Sequence, residues 1–187
     1  MTEDEMEDTD RRTYIDFPDA KFEEYLLETY DLNSDGKFSV YEAQQIFIVD
    51  CSNRGIESLF GIEYFKRLKE LYCAGNEILI LDLDKNHYLE ILDCTNNRIS
   101  SLSLAKQHSL VELYAGHNQL STLDLANTES LEVLDATYNN LELLDISNCS
   151  RLMKEVNVAN NPLQTLYMLS TQRVDRLQAG SAEIVYR

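Results

Sequence analysis

The apolar positions of this chain recur with a fixed period. Leu71, Cys73, Asn76, Ile78 reads L-x-C-x-x-N-x-I, and it returns 21 residues later as Leu92, Cys94, Asn97, Ile99. Leu113, Ala115, Asn118, Leu120 and Leu134, Ala136, Asn139, Leu141 follow in step; Val156, Val158, Asn161, Leu163 comes one residue late. Spacing places the extra residue around Met153 to Glu155. A shorter period of ten or eleven residues is nested inside, since Leu81 and Leu83 repeat Leu71 and Cys73. Three apolar columns result: one from Leu71 to Leu177, one from Cys73 to Ala179, and one from Ile78 through Leu152 to Ile184.

Self-similarity at this period predicts a coil in which each turn is built from two arcs. One turn cannot bury its own apolar face, so neighbouring turns stack into a continuous core. In each arc the L-x-L pair alternates in and out, as a strand does. The prediction is a longer parallel sheet through Leu71, Leu92, Leu113, Leu134 and Val156, with short strands on the opposite wall.

The asparagines follow from this geometry. Where the chain bends after a strand, backbone groups lose their ladder partners, and Asn carries both a donor and an acceptor to replace them. Asn76, Asn97, Asn118, Asn139 and Asn161 form one such column; Asn86, Gln107, Thr128 and Cys149 form a weaker one on the second arc. Cys51, Cys73 and Cys94 occupy an inward slot and are read as free, buried thiols. Cys149 falls at a turn, where partial exposure is expected.

This pattern resembles the leucine-rich-repeat family in its nested form L-x-x-L-x-L-x-x-N-x-L-x-x-L-D-L-x-x-N, over about Ser52 to Tyr186. With the Gly61–Phe65 segment it is similar to surface or secreted repeat proteins of Bacteroidetes-type bacteria and to the internalin group of repeat adhesins. The resemblance implies an α/β solenoid: a right-handed coil with a parallel sheet, a short-stranded opposite wall and a small helical N-terminal cap. It also implies a non-catalytic, protein-binding role and an extracellular or cell-surface location.

Ahead of the repeats, Asp31 to Glu42 reads D-L-N-S-D-G-K-F-S-V-Y-E. Against the EF-hand loop, Asp31, Asn33 and Asp35 fall at positions 1, 3 and 5, Gly36 at the sharp turn, Lys37 at the backbone-carbonyl position, Ser39 at 9 and Glu42 at 12. Calcium takes six to eight hard oxygens, which this set supplies. A structural calcium site is the expectation, with affinity on the order of 10⁻⁴–10⁻³ M as in extracellular modules. The other reading is a helix–turn–helix whose Asp and Asn only form turns. Pro18 and the stripe Phe22, Tyr25, Leu26, Tyr30 predict an entering helix, and Val40 to about Val49 a leaving one. Only one loop is present, so its apolar face is expected to pack on Ile56, Leu59 and Phe65.

Composition narrows the partners. The net charge of −17 disfavours nucleic acid and anionic membrane. Much acid lies in Met1 to Asp10, so residues 1–12 read as a disordered tail, 13–50 as the cap and 51–187 as the solenoid. That tail resembles the tether behind a lipidated cysteine in bacterial surface lipoproteins, which places any lipid anchor upstream of this sequence. The start is acidic rather than basic then apolar, so it does not read as a secretory leader. No apolar run reaches eighteen residues, so no spanning helix is expected. The histidines and cysteines lack zinc-ligand spacing.

A partner is expected on the outward strand positions Tyr72, Asp93, Tyr114, Asp135 and Asn157, beside the small column Ala74, Thr95, Gly116, Thr137, Ala159. Tyrosine is favoured at interfaces, and Tyr with Asp suits a basic or polar protein surface. The competing reading takes these as solvated strand residues of a spacer that displays another module. Asp82, Asp124 and Asp145 on the other wall read as structural.

Overall fold

A computed structural model describes residues 9–187. Seven parallel strands form the main sheet: β1 (Ile48–Asp50), β2 (Glu70–Tyr72), β4 (Ile91–Asp93), β6 (Glu112–Tyr114), β7 (Val133–Asp135), β9 (Leu152–Asn157) and β11 (Arg173–Gln178). The opposite wall carries β3 (Ile80–Asp82) paired with β5 (Ser101–Ser103), and β8 (Leu143–Asp145), β10 (Thr165–Met168) and β12 (Glu183–Tyr186) in a second short sheet. Leu71, Leu92, Leu113, Leu134, Val156 and Leu177 stand in one register row across the main sheet. Among the described residues helix is confined to the cap and one 3₁₀ turn at Ile62–Tyr64, so the expected solenoid is a parallel-sheet coil with few helices.

The three columns are buried except at Leu102, at Leu152 and in the last turn. Leu152 is 66 % exposed and Met153 1 %, so Met153 fills the slot that spacing gave to Leu152. Met153 pairs with Val174, which puts the extra residue between Cys149 and Met153. Ile184 pairs with Leu166 and so continues the first column, not the third.

The Asn column closes the turns as expected. Asn118 Nδ2 donates to the carbonyls of Cys94, Ala115 and Gly116, and its Oδ1 accepts from Ile99 N–H at 2.8 Å. Asn76, Asn97, Asn139 and Asn161 repeat the arrangement. On the second arc Asn86 and Gln107 donate to carbonyls of the preceding turn, Thr128 Oγ1 donates within its own turn and lies 3.6 Å from Cys149 Sγ, and Gln172 resumes the ladder. All four cysteines are free and buried, Cys149 included, because it takes a ladder position facing inward.

The cap holds α1 (Ala20–Tyr30) and α2 (Val40–Gln44). The predicted leaving helix stops at Gln44, because Ile48–Asp50 pairs with β2 and belongs to the sheet. The solenoid therefore begins at Ile48, inside the segment assigned to the cap. The tail expectation for residues 1–8 lies outside the described residues. Residues 9–12 form a helical turn, with Gln44 Nε2 donating to Asp10 and the Arg11 guanidinium 3.9 Å from the Tyr41 ring centre. These contacts order a segment that charge alone marked as unstructured.

Aromatic rings join cap to coil. Phe17, Phe22 and Phe38 pack edge to face, and Phe38 stacks on Phe65 at 5.9 Å, while Ile56 and Leu59 are buried beneath. Gly61 has φ +103°, and a Cβ there would meet the Phe17 ring at 2.4 Å, so only glycine fits. Two tyrosines close the free edge of β1. Tyr30 Oη donates to Ile48 O at 2.9 Å, and Asp50 N–H donates to Tyr25 Oη at 3.1 Å. A sheet edge left bare would template pairing with another chain.

Asp19 ties the two parts at a second point. Its Oδ1 caps α1 by accepting from Lys21 and Phe22 N–H, and its Oδ2 accepts from Glu57 and Ser58 N–H at 2.6 and 3.0 Å. Partial burial opposes its ionisation, but these four donors outweigh that and hold its pKa below the usual value. A carboxyl depressed in the fold stabilises it above the unfolded value, about 3.9, and loses that contribution as pH falls through the folded value. Asp19→Ala is expected to cost about 1–2 kcal/mol at neutral pH. Urea titrations of wild type and variant should converge as pH falls through the depressed folded value of Asp19; a gap unchanged at low pH would refute the carboxylate role.

Candidate functional site

Two places carry residues of interest: the outward face of the main sheet and the Asp31–Glu42 loop. On the sheet, strand alternation turns two positions per strand outward. One row reads Asp50, Tyr72, Asp93, Tyr114, Asp135, Asn157 and the other Ile48, Glu70, Ile91, Glu112, Val133, Glu155, in unbroken register. The five residues expected to meet a partner are thus brought into one line.

Their roles differ. Tyr72 Oη donates to Glu70 and Tyr114 Oη to Glu112, each at 2.9 Å along the same strand. Partial burial, then the hydrogen bond and charge of Glu112, push the Tyr114 phenol up to about 12; burial and Glu70 raise Tyr72 as well. Both tyrosines therefore stay neutral donors at physiological pH. Asp93, Asp135 and Asn157 accept through Oδ1 from the N–H two residues on, at 3.0, 2.9 and 3.3 Å. Those Asx turns start the bend after each strand, so these three residues serve the coil as well as presenting polar atoms outward.

A rim follows the strands. Asn53, Gly75, Asn96, His117, Tyr138 and Asn160 occupy equivalent positions, each three residues past the second outward strand residue, all with positive φ. Gly and Asn tolerate this left-handed conformation and His adopts it more often than most residues, whereas Tyr carries a steric penalty there. The rings of His117 and Tyr138 nonetheless stack at 4.2 Å and are exposed, Tyr138 by 52 %. Sequence reasoning missed this pair, although the turn-forming column that they interrupt is visible in the sequence.

In the loop, Asp31 Oδ2 accepts from Gly36 N–H, where φ is +75°, and Asn33 Oδ1 accepts from Asp35 N–H. Asp35 accepts from Lys37 N–H through Oδ1 and from Tyr14 Oη through Oδ2. Glu42 is 2 % exposed; its Oε1 accepts from Leu32 N–H, and its Oε2 from Ser39 N–H and Oγ. Asp31 Oδ1 is buried without a partner. The Lys37 ammonium lies over the Tyr14 ring, leaving its backbone carbonyl as the group at that loop position. The exit of the loop pairs with the extended segment before α1: Ile15 N–H donates to Phe38 O and Val40 N–H to Thr13 O, both at 2.8 Å. Among the described residues no three His, Cys, Asp or Glu side chains converge on one point, because Glu42 is drawn to the two ends of the loop.

Burial drives the cysteine thiols up, to about 12 at Cys51 and Cys94 and about 11 at Cys149, so they are neutral. A cavity of about 540 Å³ lies on the opposite wall between residues 121–126 and 140–148, lined by Ser121, Asp124, Glu142 and Asp145. No helix among the described residues is long and apolar enough to cross a membrane.

No protein-family model matches the chain. A 70-residue stretch is 30 % identical to internalin J of Listeria monocytogenes serotype 4b (strain F2365), covering 37 % of this chain and 8 % of that protein. Among solved structures, a functional domain of internalin J from Listeria monocytogenes, described as including a cysteine ladder, superposes with TM-score 0.73 at 24 % identity over 88 % of this chain. A leucine-rich-repeat protein of Leptospira interrogans superposes with TM-score 0.58 at 25 % identity over 66 %. This chain spans 38 % and 34 % of those two. The fold is the internalin-like leucine-rich-repeat solenoid of about seven turns with a 21-residue period.

Proposed function

We propose that this chain is a non-catalytic protein-binding module of a bacterial cell-surface or secreted leucine-rich-repeat protein, reading its partner through the outward face of the main sheet. One observation carries the reading over that of a spacer. At a position where four of six turns use Asn or Gly, two adjacent turns place stacked, exposed aromatic rings, and Tyr138 does so in a backbone conformation disfavoured for its bulky side chain. Nothing in the coil requires them, and strain held by surrounding structure accumulates at functional sites. The pair stands next to Tyr114 and Asp135 on the same two turns, and aromatic anchors dominate binding energy.

The test is a selection of displayed peptides on the whole chain, with binders re-measured on Tyr72→Ala/Tyr114→Ala and on Tyr138→Asn. Affinity is expected to drop about 30-fold or more on the double variant. Tyr138→Asn should weaken binding while changing stability by less than about 1 kcal/mol, because Asn suits the backbone there. Binders indifferent to all three positions would favour the spacer.

The same proposal includes a structural calcium ion in the loop. Supporting it are the all-oxygen set Asp31, Asn33, Asp35, Ser39, Glu42 and the Lys37 carbonyl, together with the buried, unpartnered Asp31 Oδ1. Calcium there would neutralise carboxylates and brace the cap against the first turn.

A further inference from the structure

We propose that the partner is a basic amphipathic helix lying across the strands, with lysine or arginine at positions i and i+7 and an apolar side chain midway between. This rests on the protein-binding reading above and names the chemistry of the partner. From β1 to β9 one outward row alternates strand by strand between aliphatic and acidic: Ile48, Glu70, Ile91, Glu112, Val133, Glu155. The parallel row alternates Asp50, Asp93 and Asp135 with the two tyrosines. Ion pairs on this side sit at its flank, Lys69–Glu90 and Lys154–Glu132, and at the last strand of the row, Arg176–Glu155, and none within 4.0 Å involves Glu70 or Glu112 among the described residues. The five carboxylates Asp50, Glu70, Asp93, Glu112 and Asp135, interleaved with aliphatic and aromatic side chains, complement a cationic, partly apolar surface and repel an acidic one.

Spacing selects the helix. Adjacent strands lie about 4.8 Å apart, so Glu70 and Glu112, two strands apart, are separated by about 9.6 Å with Ile91 midway. An extended segment repeats a face every 6.8 Å or so and falls out of step. A helix rising about 1.5 Å per residue puts i and i+7 about 10.5 Å apart on one face, with i+3 and i+4 between them. The tyrosine hydroxyls already fix one oxygen of each glutamate, leaving the other for the incoming cation, and the rings can cover its hydrocarbon stem.

Three synthetic helical peptides test this by calorimetry against the whole chain: one with Arg at i and i+7 and Leu at i+3 and i+4, one scrambled, and one with Arg replaced by Glu. The patterned peptide should bind about tenfold or more tighter than the scrambled one, and the acidic one not at all. Glu70→Gln/Glu112→Gln should remove that preference with an unchanged melting temperature, while Glu142→Gln/Glu183→Gln on the other wall should not. Equal binding of patterned and scrambled peptides, or insensitivity to the double variant, overturns the proposal. Selected ligands that need Tyr72 and Tyr114 but are not basic overturn the helix while leaving the protein-binding reading intact. Selected ligands that ignore the face overturn both.

Discussion

Asn118→Ala is expected to destabilise the coil by about 3–5 kcal/mol, a large share of the 5–15 kcal/mol typical of a folded domain. Its amide sits at the middle of the solenoid, 8 % exposed, with three carbonyls and one N–H depending on it. Alanine leaves Ile99 N–H buried without an acceptor, and each such group costs about 1–3 kcal/mol. Asn118→Asp should be at least as damaging, since it keeps the acceptor, loses both donors and buries a charge. Asn161→Ala is the internal control. Its bonds are partly open to water, so its loss should be roughly half as large. Urea titrations read the difference as a shift in midpoint. A cost below about 1 kcal/mol at Asn118, or equal costs at both sites, would sink the ladder argument.

Glu42→Ala should produce two separable losses. In chelator it removes the acceptor for Leu32 and Ser39 N–H and dismantles the capping box at the start of α2, at a cost of about 2–4 kcal/mol. In calcium, the wild type should gain about 2.7 kcal/mol once the ion reaches 100 times its dissociation constant, and the variant nothing. Thermal melts with and without chelator, alongside a calorimetric titration, distinguish the two. No heat at millimolar calcium, with the chelator loss intact, would leave Glu42 as a cap and remove the ion from the account. A variant as stable as wild type in chelator would refute the cap.

The solenoid was legible because its constraint is repeated: the same slot is filled by the same kind of side chain at every turn, so Asn118 or Leu113 is announced by its equivalents before and after. The reading failed where repetition gave no guidance. Leu152 and Met153 are adjacent and both apolar, so spacing could not decide which points inward; the pairing of β9 with β11 does. Val40 to Val49 carries a helical pattern, but pairing with β2 overrides local propensity from Ile48 onward. That Tyr72, Asp93, Tyr114, Asp135 and Asn157 share one outward row was legible from alternation alone. The rim pair was not, because a reading tuned to apolar columns gives no weight to a column of Asn and Gly in which His117 and Tyr138 are the departures. The dual duty of Asp93 and Asp135 was also hidden, since an Asx turn involves a backbone N–H that the sequence does not display.

Strict register has a consequence for how such a molecule can change over generations. Each turn hands its side chains to the same rows, and strand pairs with strand without offset from β1 to β7. Duplicating one 21-residue unit inside this stretch would keep the buried columns in step but set two like outward residues side by side, and would lengthen the face by one strand, about 4.8 Å. Duplicating two would add one more acid–aliphatic pair to the row. Recombination between pairs of repeats can therefore adjust the reach of the surface in fixed steps while leaving its chemistry and the fold beneath it untouched.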